Sequence, residues 1–281
     1  MFRKVAVLGV GLIGASFCLA MKQKKLCAAI TGYGRDRENL QKAQQRGIID
    51  EYASDPADAC RDADLIMLSA PVGSFIDLVQ RSSGSLKQGA LVTDAGSVKG
   101  SLVKDIERLM PAGVSYVGGH PIAGGEQSGI GAATSGLFDG AKCIITPTGA
   151  TERASLDRIK QLWQDLGAVV LEMDPQTHDR IYAAVSHLPH LVAYAMMNTV
   201  ADIDKTYLEF SGQGFRDMTR IAGSSPELWR DISLMNRNNL IEMIEVFQRN
   251  LESISAHLRA SDPASLEIQL QQARALRESL G

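Results

Sequence analysis

The sequence predicts an α/β fold with a doubly wound, mainly parallel sheet, followed by an all-helical C-terminal domain. Two features of its 281 residues carry this prediction. Over 1–172, short β-rich runs alternate with helical patterns, an order typical of parallel sheets that bind ligands at the carboxyl ends of their strands. Over 173–281, only helical patterns follow. We therefore expect two domains that meet at 172/173.

The predicted strands are short and rich in aliphatic residues, and the helices between them are amphipathic. The strands are predicted at 5–8, 30–33, 65–69, 91–94, 115–117, 143–146 and 169–172. The helices of the first domain are predicted at 38–46, 75–86, 101–110 and 153–166. In the second domain they are predicted at 185–200, 227–236, 240–258 and 264–280.

The last helices carry more apolar periodicity than one small domain can bury. Leu240, Ile244, Phe247, Leu251 and Ile254 recur three and four residues apart, which is the spacing of one helix face. An apolar face without a cover within its own domain favours association of identical chains. We therefore predict a homodimer sealed by these helices.

Composition excludes several classes of protein. The formal net charge is −3 and no basic block is present, so neither nucleic acid nor an anionic membrane is an expected partner. No apolar run approaches the roughly 18 residues of a membrane-spanning helix, and no secretory signal is recognisable. Four scattered cysteines, Cys18, Cys27, Cys60 and Cys143, fit a reducing compartment. We expect a soluble, cytoplasmic protein.

A glycine-rich turn directly follows the first strand and opens an apolar helix. It reads Gly-Val-Gly-Leu-Ile-Gly from Gly9 to Gly14, the G-x-G-x-x-G of Rossmann-type dinucleotide sites. Gly9 permits the tight turn, Gly11 lets the backbone approach the pyrophosphate, and Gly14 lets helix and sheet pack closely. Leu12 and Ile13 open the helix whose N-terminus would bind the phosphates.

The cofactor's ribose is predicted to meet an unusual loop. NAD enzymes present an acid after the second strand, but here that position is Gly34, and Arg35 follows. A guanidinium suits a 2′-phosphate, so NADP is favoured over NAD. Asp36 could still reach a ribose, and Arg35 could be a solvated loop charge. Ser69, Ala70 and Pro71, after the strand at 65–69, are also expected to line the cofactor.

Polar residues also stand where apolar core residues would be expected. They fall in Gly118–Glu126, in 186–190 and in 217–231, and Ser97 follows the strand at 91–94 beside the expected nicotinamide position. With GVGLIG and DAGSVKG, the segments GGHPIAGGEQSG, VSHLPH and FRDMTRIAGSSPELWRD give the chain a strong resemblance to the prephenate/arogenate dehydrogenase family of tyrosine biosynthesis. GxGxxG occurs in many enzymes, whereas HPIAG together with SHLPH is specific.

The resemblance implies roles for individual residues. It makes His120 the catalytic histidine, and Ser97 would hydrogen-bond it or the ring hydroxyl of the substrate. It places His190 and Arg220 in the substrate pocket, and Glu126 would lie at the pocket mouth. The residues that would shape or support the pocket are Ser186, His187, Asp217 and Trp229. NAD-specific members carry an aspartate at the position of Gly34. This chain therefore departs from those members at a residue that bears on cofactor choice.

The reaction so implied is oxidative decarboxylation of prephenate, arogenate or both, giving 4-hydroxyphenylpyruvate, tyrosine or both. Independently of the resemblance, oxidation of a ring carbinol needs a base for the hydroxyl proton, and histidine suits neutral pH. No metal is required, and none is predicted.

Other interpretations of these residues remain open. His120 could be a turn histidine satisfied by backbone groups. His187 and His190 are spaced as metal ligands could be, although Pro189 lies between them, and His187 could be purely structural. Arg220 could pair with Asp217 in the core. We interpret the two remaining histidines, His178 and His257, as surface residues.

Two alternative functions are also open. A β-hydroxyacid dehydrogenase would pair a Rossmann domain with helices, but it normally shows a catalytic lysine there, and 173–281 contains only Lys205. A non-catalytic NADP sensor would bind the cofactor without needing His120, Ser97 or Arg220.

Overall fold

An eight-stranded sheet forms the N-terminal part of the protein in a computed structural model, which describes residues 1–125 and 129–280. Its strands are β1 (Phe2–Leu8), β2 (Cys27–Tyr33), β3 (Glu51–Tyr52), β4 (Leu65–Leu68), β5 (Leu91–Asp94), β6 (Ser115–Pro121), β7 (Lys142–Thr146) and β8 (Val169–Glu172). Their order is β3-β2-β1-β4-β5-β6-β7-β8. Neighbours pair in parallel except β6 and β7, which are antiparallel. The mainly parallel sheet is therefore confirmed.

Helices cover both faces of the sheet. They are α1 (Leu12–Gln23), α2 (Arg37–Gln45), α3 (Pro56–Cys60), α4 (Phe75–Ser82), α5 (Gly100–Leu109) and α6 (Arg153–Asp165). Side chains of β1 alternate between two cores: Val5 and Val7 join the first, and Ala6 and Leu8 the second. Successive strand residues point to opposite faces, so a strand buried on both faces is apolar throughout. This arrangement confirms the doubly wound prediction.

The remainder of the described chain is helical, as predicted. It comprises α7 (Pro175–Tyr182), α8 (Leu188–Asp204), α9 (Gln213–Thr219), α10 (Pro226–Met235), α11 (Arg237–Ala260) and α12 (Pro263–Glu278). A π-helical turn, Ala183–His187, joins α7 to α8. None of the helices that the structure describes is long and apolar enough to span a membrane.

The helical part packs against the carboxyl edge of the sheet. On α10, Trp229 and Ile232 are buried in the second core together with Val72 and Phe75. The carboxylate of Asp179 on α7 accepts hydrogen bonds from the backbone N–H groups at the start of α5. Because β1, β4 and β5 end at this edge, the helical residues face the loops that follow those strands.

Candidate active site

The first turn of α1 has the features of an anion site. Gly11 occupies the N-cap without a side-chain hydrogen bond, and no acidic residue lies in the first turn. The first N–H groups of a helix lack partners within the helix, and the helix dipole makes this end electropositive. The backbone N–H groups of Leu12, Ile13 and Gly14 are therefore placed to hold an anion.

The three glycines of the turn differ in how much room the structure leaves for a side chain. Gly9 has φ 110°, and a Cβ there would lie 2.3 Å from the Ala70 nitrogen. A Cβ on Gly14 would lie 2.1 Å from the Gly9 oxygen, whereas one on Gly11 would meet no atom within 4 Å. Gly9 and Gly14 are thus required by packing. Gly11 is required by neither packing nor backbone conformation, and its open side suits a ligand that approaches the backbone.

A groove of about 320 Å³ runs from this turn across the edge of the sheet. The predicted cofactor residues that line it are Gly9, Gly11, Gly34, Arg35, Ser69, Ala70 and Pro71. Ser69 Oγ donates to the Gly9 oxygen over 2.8 Å and so ties β4 to the turn. With the glycine turn and the uncapped helix, this groove fits a dinucleotide.

The loop after β2 lines the same groove. The carboxylate of Asp36 accepts from the Asn39 N–H over 3.1 Å and caps α2. Arg35 lies 3.6 Å from Glu227, and both side chains are largely exposed. Arg81, also on the groove wall, pairs with Asp55 over 3.1 Å.

A fully buried ion pair supports the loop after β5. Lys99 Nζ donates to Asp94 over 2.5 Å and to the Gly96 oxygen over 2.8 Å. Asp94 also accepts from the Tyr116 hydroxyl and from the Gly119 N–H, each over 2.9 Å. Each buried charge is therefore paired and hydrogen-bonded, as burial demands. The pair fixes the loop that carries Ser97 beside the part of β6 that carries His120.

His120 is half-buried on β6, opposite Ile144 of β7. Its Nδ1 lies 2.8 Å from Nε2 of His178, and its ring packs edge-on against Tyr182. Burial lowers the pKa of His120 well below its usual value, and the nearby His178 and Lys99 lower it further. The imidazole is therefore neutral near pH 7 and can act as a base.

The interpretation of His178 as a surface residue is wrong. This side chain on α7 is fully buried, and its Nδ1 lies 2.8 Å from the carboxylate of Asp179. Sequence analysis missed both residues because α7 is a polar helix, in which a histidine is ordinarily solvated. The adjacent His-Asp pair, just after the last strand, is the signal that could have found them.

His187 ends the π-helical turn and is also fully buried. Its Nδ1 is 3.1 Å from Nδ2 of Asn236, and Nδ2 also donates to the Asp179 oxygen over 2.8 Å. Burial lowers the pKa of His187 to about 4, against the opposing effect of the Asp179 carboxylate. His187 thus contacts Asn236, at the junction of α10 and α11, which in turn is hydrogen-bonded to α7.

His190, on α8, has its ring fixed by two contacts. It stacks on Trp229, with centroids 3.6 Å apart, and its Nδ1 lies 2.9 Å from the Ser186 oxygen. Burial lowers the pKa of His190, and the positive charge of Arg220 lowers it further. Arg220 is exposed at the end of α9. His190, Trp229, Ser186 and Arg220 therefore form one cluster.

Two predicted substrate residues stand apart from this cluster. Asp217 is exposed on α9, and its carboxylate accepts from Nε2 of Gln213 over 2.7 Å. Since Arg220 is exposed as well, the structure does not support a core ion pair of these two residues. Glu126 lies outside the described residues.

Family comparisons cover both halves of this arrangement. Residues 17–172 match the family model described as prephenate dehydrogenase, nucleotide-binding domain, and residues 174–272 match prephenate dehydrogenase, dimerization domain. This chain belongs to the prephenate dehydrogenase family. The membership confirms the resemblance read from the motifs and sets aside the β-hydroxyacid dehydrogenases.

Individual relatives agree with the family match. Prephenate dehydrogenase of Bacillus subtilis is 31% identical over 98% of this chain and 76% of its own length. A crystal structure of the Aquifex aeolicus prephenate dehydrogenase, in complex with hydroxyphenyl propionate and NAD+, is 36% identical. It covers 100% of this chain and 99% of its own, with a TM-score of 0.94. Synechocystis arogenate dehydrogenase is 28% identical, covers 99% of this chain and 100% of its own, and has a TM-score of 0.82.

Proposed function

We propose that His120 is the general base of an oxidative decarboxylation of prephenate, arogenate or both, the reaction of this family in tyrosine biosynthesis. The observation that carries the proposal is a half-buried, neutral imidazole at the carboxyl edge of a dinucleotide-binding sheet. A bound nicotinamide cofactor supplies the hydride acceptor. His120 supplies the other requirement, an acceptor for the hydroxyl proton.

Loss of CO₂ follows from the chemistry of such a substrate. Removing the hydroxyl proton as hydride leaves the same carbon turns the ring carbinol into a ketone. That ketone is conjugated to the carbon that bears the ring carboxylate. The carbonyl takes up the electrons of the breaking C–C bond, CO₂ leaves, and the ring becomes aromatic. The chain therefore needs to orient the substrate and hold one proton at His120.

Substrate orientation is assigned to the cluster around His190. Stacking on Trp229 and the hydrogen bond to the Ser186 oxygen fix the plane of His190. Arg220 is the cation for a substrate carboxylate, since guanidinium and carboxylate form paired hydrogen bonds. Ser97 is assigned to the reacting hydroxyl and His187 to support of the pocket. Asp217 remains a proposed supporting residue of the pocket, and Glu126 a proposed residue of the pocket mouth.

The cofactor preference is assigned to the loop after β2. Asp36 is engaged as the cap of α2, so its carboxylate is not the ribose ligand. Gly34 presents no acid to repel a 2′-phosphate, and the exposed Arg35 has only a loose ion pair to give up. Pairing of phosphate with arginine favours NADP over NAD.

We divide the chain between β8 and α7 and assign assembly to the helical half. We assign 1–172 to dinucleotide binding and 173–281 to substrate binding and dimerisation. Large apolar side chains are exposed on the last two helices of the helical half. They include Ile241, Leu251 and Leu258 on α11 and Ile268, Leu270 and Leu276 on α12. Covering such surface stabilises an assembly, and the family match in this half is to a dimerization domain. A homodimer is the proposed state, and light scattering near 30 kDa would contradict it.

Steady-state rates with prephenate and with arogenate, each with NAD and with NADP, test the proposal. We expect turnover of at least one substrate and a higher kcat/KM with NADP. A non-catalytic sensor would bind NADP and turn over neither substrate. Turnover with a clear preference for NAD would contradict the cofactor assignment and leave the reaction intact.

A further inference from the structure

The base His120 stands at the end of a line of three polar groups. His120 Nδ1 is 2.8 Å from His178 Nε2, and His178 Nδ1 is 2.8 Å from Asp179 Oδ1. His178 and the Asp179 side chain are buried, at 0% and 4% exposure. Tyr182 packs against both rings, with centroids 4.9 Å and 4.5 Å away. The line therefore has a fixed geometry, and its His178–Asp179 part is shielded from water.

Hydrogen-bond chemistry assigns the protons along this line. The Asp179 carboxylate also accepts from the N–H groups of Lys99, over 2.7 Å, and Gly100, over 2.8 Å. An ionised carboxylate only accepts, so His178 carries its hydrogen on Nδ1. A neutral His178 then offers a lone pair at Nε2. His120 must fill that position with its own Nδ1–H, which leaves its Nε2 without a proton.

We propose that His178 and Asp179 are positioning residues that hold His120 in its Nδ1–H tautomer and so present Nε2 as the base. The assignment rests on the proposed role of His120. Which nitrogen of a histidine is protonated is set by the hydrogen bond that the other nitrogen makes. A carboxylate does this directly in serine proteases, whereas here a second histidine stands between carboxylate and base.

The charges around the line fit this arrangement. Lys99 and His187 face His120, while Lys99, Asp94 and Asp179 face His178. Asp94 pairs with Lys99, so Asp179 is the anion left to balance a proton on the histidines. When the substrate O–H breaks, a new N–H bond forms at His120 Nε2. The positive charge is then shared through His120 Nδ1–H with His178 and balanced by Asp179.

Histidine-selective ¹⁵N NMR of the full-length protein at pH 8, without substrate, reads the tautomers directly. The chain has five histidines, so single His→Gln variants can assign every signal. We expect His120 and His178 with hydrogen on Nδ1, and His187 with hydrogen on Nε2 because its Nδ1 accepts from Asn236. His120 with hydrogen on Nε2 would overturn the proposal. The measurement needs no turnover, so it stands even if the proposed reaction fails.

Asp179→Asn tests the same claim through catalysis. An amide can donate to His178 Nδ1, which would move the hydrogens to Nε2 of both histidines and block the base. We expect kcat to fall by about 10²- to 10⁴-fold, with the KM of the cofactor unchanged and the His120 tautomer reversed. Asp174→Asn is the matched control, because Asp174 caps the same helix through the N–H groups of Gln176 and Thr177.

The two variants separate positioning from stability. Because asparagine caps helices about as well as aspartate, Asp174→Asn should keep the rate and the melting temperature. A purely structural role for Asp179 predicts a rate that falls only together with the melting temperature and an unchanged tautomer in Asp179→Asn, and that result would overturn the proposal. If Asp179→Asn does not fold, the tautomer of His120 in the unmodified protein decides alone.

Discussion

The imidazole of His190 stacks on the indole of Trp229, with ring centroids 3.6 Å apart and an angle of 20° between the planes. The stack orients the ring of His190. Burial lowers the pKa of His190, and the positive charge of Arg220 lowers it further. A fixed polar ring beside an arginine is suited to bind a substrate carboxylate rather than to move protons. In the proposed reaction, substrate binding is therefore assigned to α8–α10 and proton transfer to β6.

Arg220→Ala should therefore act on binding. Loss of a charged hydrogen bond costs about 1.5–3 kcal/mol, so we expect the KM of the substrate to rise by about one to two decades with little change in kcat. Steady-state kinetics at saturating cofactor measure both. Arg249→Ala, which removes another exposed arginine on α11, is the control. A variant that lost kcat and kept KM would reverse the assignment.

The acid limb of the pH–rate profile should lie below pH 6.5. The base acts in its neutral form, and burial together with His178 and Lys99 lowers the pKa of His120 well below that value. Because the pKa is lowered, His120 stays neutral as the pH falls through 6.5 and protonates only further down. The profile of kcat/KM from pH 4.5 to 8, with circular dichroism at each pH, measures this. A half-maximal rate above pH 6.5 with the fold intact would contradict it.

Alanine at two glycines should separate ligand binding from packing. Gly11→Ala meets no atom within 4 Å, so the melting temperature without cofactor should hardly change, whereas cofactor affinity should fall by about tenfold or more as the new methyl blocks the pyrophosphate. Gly14→Ala overlaps the Gly9 oxygen and should destabilise the fold by about 1–3 kcal/mol. Calorimetry and cofactor titration test the pair. Unchanged affinity in Gly11→Ala would place the pyrophosphate elsewhere.

Substitutions after β2 should shift cofactor preference. Arg35 is 77% exposed. Its ion pair with a 2′-phosphate should therefore contribute only about 1 kcal/mol of binding free energy, less than a buried charged hydrogen bond. Arg35→Ala should lower kcat/KM for NADP about fivefold and leave NAD unchanged. Gly34→Asp has room, because its Cβ would lie 3.6 Å from Leu40, and should turn the preference toward NAD. Equal effects on the two cofactors would contradict the assignment.

Much of the fold could be predicted because the burial pattern appears in the sequence. Val5, Ala6, Val7 and Leu8 are all fully buried, and such a run is typical of a central parallel strand. The two-residue β3 gave no such signal. β6 was predicted at 115–117 but continues to Pro121, because Gly118 and Gly119 have little β propensity and extend the strand by antiparallel pairing with β7.

The site could be predicted only where a local motif marks it. The glycine motif of Gly9–Gly14 indicates a dinucleotide site from its sequence alone. The segments around His120 and His190 stand out as polar residues in apolar surroundings. His178 is marked only by the adjacent Asp179, and that pair does not show that the side chain is buried. Its burial results from the packing of α7 against β6, a contact across 58 residues of chain, and no local pattern encodes that distance. The fully buried Lys99 was likewise not predicted to pair with Asp94.

In the proposed reaction, hydride transfer and loss of CO₂ are coupled through His120. The most direct test measures CO₂ and reduced cofactor in the same assay, for the unmodified protein and for His120→Asn. We predict one CO₂ per reduced cofactor. In His120→Asn we predict both rates lowered together by about 10²-fold or more, with dinucleotide binding and the melting temperature retained. Reduced cofactor without CO₂, or an undiminished rate in a folded His120→Asn, would contradict the account.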